Sequence, residues 1–224
     1  AVDKALGGAP LPANVWDLVF DPAYSQKLKA CGIAYLDAAS EILPSALRYI
    51  GKPAYSSEPA DYQAAAAMLA KVRPDVRMFT STMIDDLASG KTCAVVGWAG
   101  DINIARMRAQ ENQADVDIKA LMPADGAILF FDNLAIPKDA KHPKNAHAFI
   151  NYFSLPEVSA ALSNAVSYPV ANKAALPFVK PEIAKDPSTY LDEATMAKMV
   201  APESFSKEAR EAMTSAFTAF KKGS

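Results

Sequence analysis

Cys93-Ala-Val-Val-Gly-Trp-Ala-Gly-Asp101 decides how the chain is read. From Thr92 to Val96 the residues are β-branched and apolar with no proline, as in a strand buried on both faces. Gly97 and Gly100 interrupt the run, and a helical pattern follows from Ile102 to Glu111. A strand ending this way sets an indole, Trp98, and a carboxylate, Asp101, on the carboxyl rim of an α/β sheet, the edge where open α/β sheets take their ligands. A π face beside a negative charge suits a small cation, through cation–π attraction and a charge-assisted hydrogen bond. The same two residues read equally as a core tryptophan and a helix N-cap.

Outward from this stretch, short strands alternate with helices. Asp21-Pro22 is an N-cap with proline at the first helical position, opening a helix that closes at Cys31-Gly32. Ile33 to Leu36 reads as a strand, and Asp37 to Glu41 turns into a helix ending at Gly51. Tyr62 to Val72 is a helix stopped before Pro74, and Ser81 reads as the N-cap of another through Ser89. Beyond the pivotal segment, Val116 to Met122 and Ala127 to Ile136 alternate as strands, the second interrupted by Asp132-Asn133. Helices follow over Lys144–Phe153 and Pro156–Ala165, then an extended loop from Ser167 to Lys173 and a final helix from Ser206 to Lys222. That last helix has a serine cap, Glu208 in its first turn and Lys221-Lys222 at its end, all matched to the macrodipole. The class is α/β.

Bulk composition narrows the function. The 224 residues are 51% hydrophobic and 21% charged, with a formal net charge of -2. No basic excess exists to neutralise phosphates, which argues against nucleic acid as a partner. No apolar run approaches the roughly 18 residues of a membrane span. The chain begins Ala1-Val2, which reads as removal of a signal or a start within a longer protein. Cys31 and Cys93 are the only cysteines, compatible with two buried thiols or with one disulfide. They lack the paired spacing of a zinc site, so no metal or cofactor is expected.

Further candidates sit at element ends. Glu41 falls in the first turn of its helix, where dipole compensation explains it as readily as ligand binding. Ser81 is equally a cap. Phe130 and Asp132, two apart on the expected strand, face one side, and a carboxylate in an apolar strand calls for a partner. Tyr168, before Pro169, fills a core or walls a pocket. Catalysis has little support. His142 and His147 are the only histidines, and GxSxG, HExxH, P-loop and GxGxxG motifs do not occur. A hydrolase using Ser81 or paired carboxylates is the alternative from another class, and a binder of a different cationic solute is the nearer one.

Several segments occur together, in order: Leu28-Lys-Ala-Cys-Gly-Ile-Ala-Tyr-Leu-Asp-Ala38, Leu47-Arg-Tyr-Ile-Gly-Lys52, Val72-Arg-Pro-Asp-Val-Arg77, Asp86-Leu-Ala-Ser-Gly90, Gly97-Trp-Ala-Gly-Asp101, Phe130-Phe-Asp132 and Tyr168-Pro-Val-Ala-Asn-Lys-Ala174. As a set they resemble the periplasmic polyamine-binding proteins of ABC importers, above all the putrescine/spermidine group, from about Trp16 to about Tyr190. The resemblance implies a non-catalytic, periplasmic solute-binding subunit with a two-lobed type II periplasmic-binding-protein fold, serving ABC permease subunits. It implies that Trp98, Phe130 and Tyr168 are aromatic walls, that Asp101, Asp132 and Glu41 pair with ammonium groups, and that Ser81 hydrogen-bonds in the pocket. Cys31 and Cys93 match the family's disulfide. On this reading residues 1–126 and 178–224 form the second lobe. Residues 127–177 are then the returning segment of a first lobe whose larger part lies ahead of Trp16 in the family and is absent here. A returning segment without its sheet partners favours self-association.

Overall fold

The computed structural model describes residues 1–223. Three short segments pair as one parallel sheet: β1 (Ile33–Leu36), β2 (Val76–Thr80) and β3 (Ala94–Val96), in the order β2-β1-β3. Ile33 lies opposite both Val76 and Ala94, so β1 is the central strand. Covered on both faces, all four of its residues are buried, which is why it reads as an unbroken apolar run. Its one polar atom, the Tyr35 hydroxyl, donates to the Val19 carbonyl, the partner a buried phenol needs.

Helices surround the sheet. In chain order they are α1 (Val2–Ala5), α2 (Asp17–Phe20), α3 (Pro22–Leu28), α4 (Ala39–Tyr49), α5 (Pro59–Val72) and α6 (Met83–Ala88). After β3 come α7 (Ala99–Glu111), α8 (Pro143–Phe153), α9 (Pro156–Val166), α10 (Pro181–Ala184), α11 (Glu193–Met196) and α12 (Lys207–Lys222). Each strand runs into a helix: β1 into α4, β2 into α6, β3 into α7. The C-terminal α12 lies against α4 and α5, and α6 against α7. Asp21 accepts from the Ala23 amide at 2.8 Å and Ser206 from the Ala209 amide at 3.1 Å, the two caps expected of those residues. Phe20, Tyr35, Tyr62, Leu69 and Phe220 centre the main core. Cys31, just past α3, is disulfide-bonded to Cys93, just before β3, with Cα atoms 5.5 Å apart.

Four expectations are corrected. Residues 76–80 form β2, which the sequence reading passed over because Arg77 breaks the apolar run; its guanidinium donates to the carbonyls of Ala30, Cys31 and Lys91 at the strand's start. Ser81 does not cap α6: Thr82 occupies the N-cap position and Ser81 is exposed. Helix α7 begins at Ala99, so Trp98 and not Asp101 is its N-cap residue. Val116–Met122 and Ala127–Ile136 are not strands; a single bridge joins Ile128 to Val200. Alternation marks which side chains prefer burial, but a ladder also needs a neighbouring backbone along its length, and among the described residues pairing stops at that one bridge. Phe130 and Asp132 accordingly sit on an exposed, irregular segment. Further on, Ala160, Ala175, Val179 and Ile183 form a small separate cluster, and α8 buries none of its residues.

Candidate functional site

In a parallel sheet every carboxyl end lies on the same edge. Asp37 follows β1, Ser81 follows β2 and Gly97-Trp98 follows β3, so this edge carries the first turns of α4 and α7 with Glu41 and Asp101. Both glycines of the pivotal stretch are fixed by contact. A Cβ on Gly97 would collide with the Met83 thioether, and one on Gly100 with the Tyr168 ring. The bare backbone at Gly100 is what lets the Tyr168 ring lie against the start of α7.

From there the contacts run continuously. The Tyr168 hydroxyl donates to Asp101 Oδ1 at 2.8 Å. Phe130 meets Tyr168 edge to face, centroids 6.0 Å apart, and meets Trp98 in a tilted arrangement at 6.4 Å. Trp98, half-buried, packs in part against the main core, so the core reading holds for one side of the indole. Burial pushes the Glu41 carboxyl above the usual glutamate range, and hydrogen bonding from Trp98 offsets part of that rise. The Tyr168 phenol is pushed up first by burial, then by the hydrogen bond to and charge of Asp101, and further by Asp132. Asp132 therefore sits within the electrostatic reach of the same hydroxyl, although its own side chain is exposed.

Four of the seven expected residues, Trp98, Phe130, Tyr168 and Asp101, are thus brought into contact at this edge, and the carboxylates of Glu41 and Asp132 are linked to them through their electrostatics. Ser81 stands apart. It shares the edge, but its hydroxyl makes no hydrogen bond among the described residues; the adjacent threonines bond to each other, Thr80 Oγ1 to Thr82 Oγ1 at 3.2 Å. Sequence reasoning missed the support behind Tyr168, namely buried Ser163, whose Oγ donates to the Tyr168 carbonyl at 2.7 Å and lies 3.2 Å from the Tyr190 hydroxyl. No short-range pattern signals that trio.

The rings and carboxylates form an open rim. Trp98, Asp101, Phe130 and Tyr168 line neither the 440 Å³ cleft bounded by Arg48, Tyr55, Asp125 and Glu203 nor the 580 Å³ groove along α12. The first cleft adjoins the Glu41 end, since burial and then the charges of Glu41 and Glu203 push the Tyr55 hydroxyl up. Chemically, the rim offers acceptors and π faces, and among the described residues no histidine hydrogen-bonds to its hydroxyls; His142 and His147 lie at the start of and within α8.

Residues 7–189 match the family of bacterial extracellular solute-binding proteins. The chain belongs to this family. Among its relatives, the putrescine-binding periplasmic protein SpuD of Pseudomonas aeruginosa is 41% identical over 221 residues, an alignment covering 98% of this chain and 60% of that protein. A putrescine/agmatine-binding protein of the same species is 38% identical over 226 residues, covering 100% of this chain and 62% of its own. A solved spermidine/putrescine ABC transporter structure from Listeria monocytogenes superposes with a TM-score of 0.79 at 29% identity, covering 92% of this chain and 61% of that one. The chain therefore has the type II periplasmic-binding-protein fold, and it spans about 60% of the length of the curated relatives it matches.

Proposed function

We propose that the chain captures polyamines of the putrescine/spermidine class, as the solute-binding subunit of an ABC importer in the periplasm. The observation that carries this reading is the meeting of Trp98, Phe130 and Tyr168 with Asp101 at the carboxyl edge of the sheet, with Glu41 and Asp132 beside them. A slender dication needs anionic oxygens for its ammonium groups and apolar, π-rich walls for its methylenes. Asp101, Asp132 and Glu41 supply the first, the three rings the second, and Ser81 a hydroxyl on the same edge. The names of the relatives support the ligand class and the transport setting.

In the same reading residues 1–126 and 178–224 belong to the second lobe and 127–177 to the returning segment of the first. Permease subunits are its partners, and the exposed apolar residues of 127–177 lead to self-association. The hydrolase alternative has the weaker support, because among the described residues the Ser81 hydroxyl has no hydrogen-bond partner to serve as a base, and the relatives are named as binding proteins.

Titration calorimetry of the chain with putrescine, cadaverine and spermidine at low salt tests the proposal. An open rim buries less of a ligand than a closed pocket, so weak binding is expected. Absence of heat with all three overturns the proposal. Ester or amide turnover abolished by Ser81→Ala would establish the hydrolase instead.

A further inference from the structure

Tyr168 is held from three directions. Its ring rests against the bare backbone of Gly100, its carbonyl is fixed by buried Ser163, and its hydroxyl donates to Asp101 Oδ1. Burial and the neighbouring Asp101 push the phenol upward, so the hydroxyl keeps its proton and stays the donor. Among the described residues no other side chain hydrogen-bonds to the Asp101 carboxylate. Asp101 thus meets any ligand with one oxygen engaged by a rigid donor and one open.

We propose that the Tyr168 hydroxyl makes Asp101 selective, favouring a compact ammonium over a planar guanidinium. This rests on the reading of Asp101 as a carboxylate for a cationic ligand. An ammonium is a point charge with three rotatable donors, and the open oxygen satisfies it. A guanidinium draws its advantage from a fork, two parallel N–H···O bonds that need both oxygens at once in one plane. The phenol already occupies an acceptor site on Oδ1 and fixes the tilt of the carboxylate. Each oxygen keeps a second acceptor site, so the hydroxyl handicaps the fork without forbidding it, by about two- to tenfold, the worth of one neutral hydrogen bond. Tyr168 is then a positioning residue acting through Asp101, in addition to any wall its ring provides.

The experiment is calorimetry on the full chain with two probes of equal spacer: putrescine, and arcaine, the same butane chain with a guanidinium at each end. The reading is the ratio of the two affinities. Tyr168→Phe removes only the hydroxyl and should shift that ratio toward arcaine by about two- to tenfold. Asp101→Glu, which carries the carboxylate past the hydroxyl, should shift it the same way and does not depend on the phenylalanine variant folding. In an Asp101→Asn background, adding Tyr168→Phe should leave the ratio where it was. Equal losses for both probes in Tyr168→Phe, or a ratio shift that persists with Asp101→Asn, overturn the inference while putrescine binding stands. If the unaltered chain binds neither probe, the polyamine reading itself fails and takes the inference with it.

Discussion

Asp101 and Glu41 show how the same side chain type takes two electrostatic settings on one edge. Asp101 is met by a phenol that donates to it, whereas Glu41 is pushed toward its neutral form by burial, with only partial relief from Trp98. Under the proposed function, Asp101→Ala and Asp132→Ala should each weaken putrescine binding by roughly 2–4 kcal/mol, because a desolvated ammonium loses its counter-charge. Trp98→Ala should cost roughly 1–3 kcal/mol by removing a wall and its π face. Calorimetry reads both, and full affinity in all three variants would place the site elsewhere. Glu41 adds a pH signature. A carboxyl raised in the folded chain holds a proton that the unfolded chain has released. Stability therefore falls as pH rises from the ordinary glutamate value through the folded one, and recovers on acidification. An ammonium favours the charged form and reverses that preference, so binding should tighten, with proton release, as pH rises from the ordinary glutamate range. Titrations in two buffers of different ionisation heat measure the release, and Glu41→Gln should abolish it.

Elements are placed by contacts that the chain makes far from itself in sequence. The Cys31–Cys93 disulfide ties the end of α3 to the start of β3, beside the hydrogen bond from the Cys93 amide to the Gly32 carbonyl at 2.9 Å. A bridge closing a loop of this length stabilises by about 4 kcal/mol in the chain-entropy model. For a chain of this size reduction should lower the melting temperature by about 10 °C, read by circular dichroism with and without reductant. An unchanged melting point would show that packing alone holds β3 against β1. Because β3 leads directly into Trp98 and α7, reduction should also weaken putrescine binding, which the same calorimetry detects. Helix α7 is anchored at its other side by Asn103, buried, whose amide donates to the Ser188 and Thr189 hydroxyls at 3.1 Å each. The site's central helix is thus fixed by residues on a remote stretch of chain.

Across the whole molecule burial is uneven. The sheet and its helices share one large core, whereas Phe131 is 62% exposed, Phe149 55% and Tyr152 60%. Surface of this kind should bind an environment-sensitive dye and drive concentration-dependent association, checked by fluorescence and sedimentation velocity; a monomer at all concentrations with no dye signal would refute it. The same contrast separates what was legible from what was not. Local physics wrote several features into the sequence: the capped starts at Asp21 and Ser206, the doubly buried run of β1, and the glycine-broken turn that sets Trp98 and Asp101 on a rim. Each depends on neighbours a few residues away or on plain burial preference. Strand β2 was hidden because Arg77 serves a tertiary purpose, covering carbonyls of two loops. Residues 127–136 carry a strand's alternation but pair at a single bridge, since hydrogen-bonded pairing depends on another backbone and periodicity records only side-chain preference. The disulfide was open on the residues alone and was implied only by the family likeness. The bond from Tyr168 to Asp101 joins positions 67 apart, and only the folded path of the chain could decide which hydroxyl would meet which carboxylate.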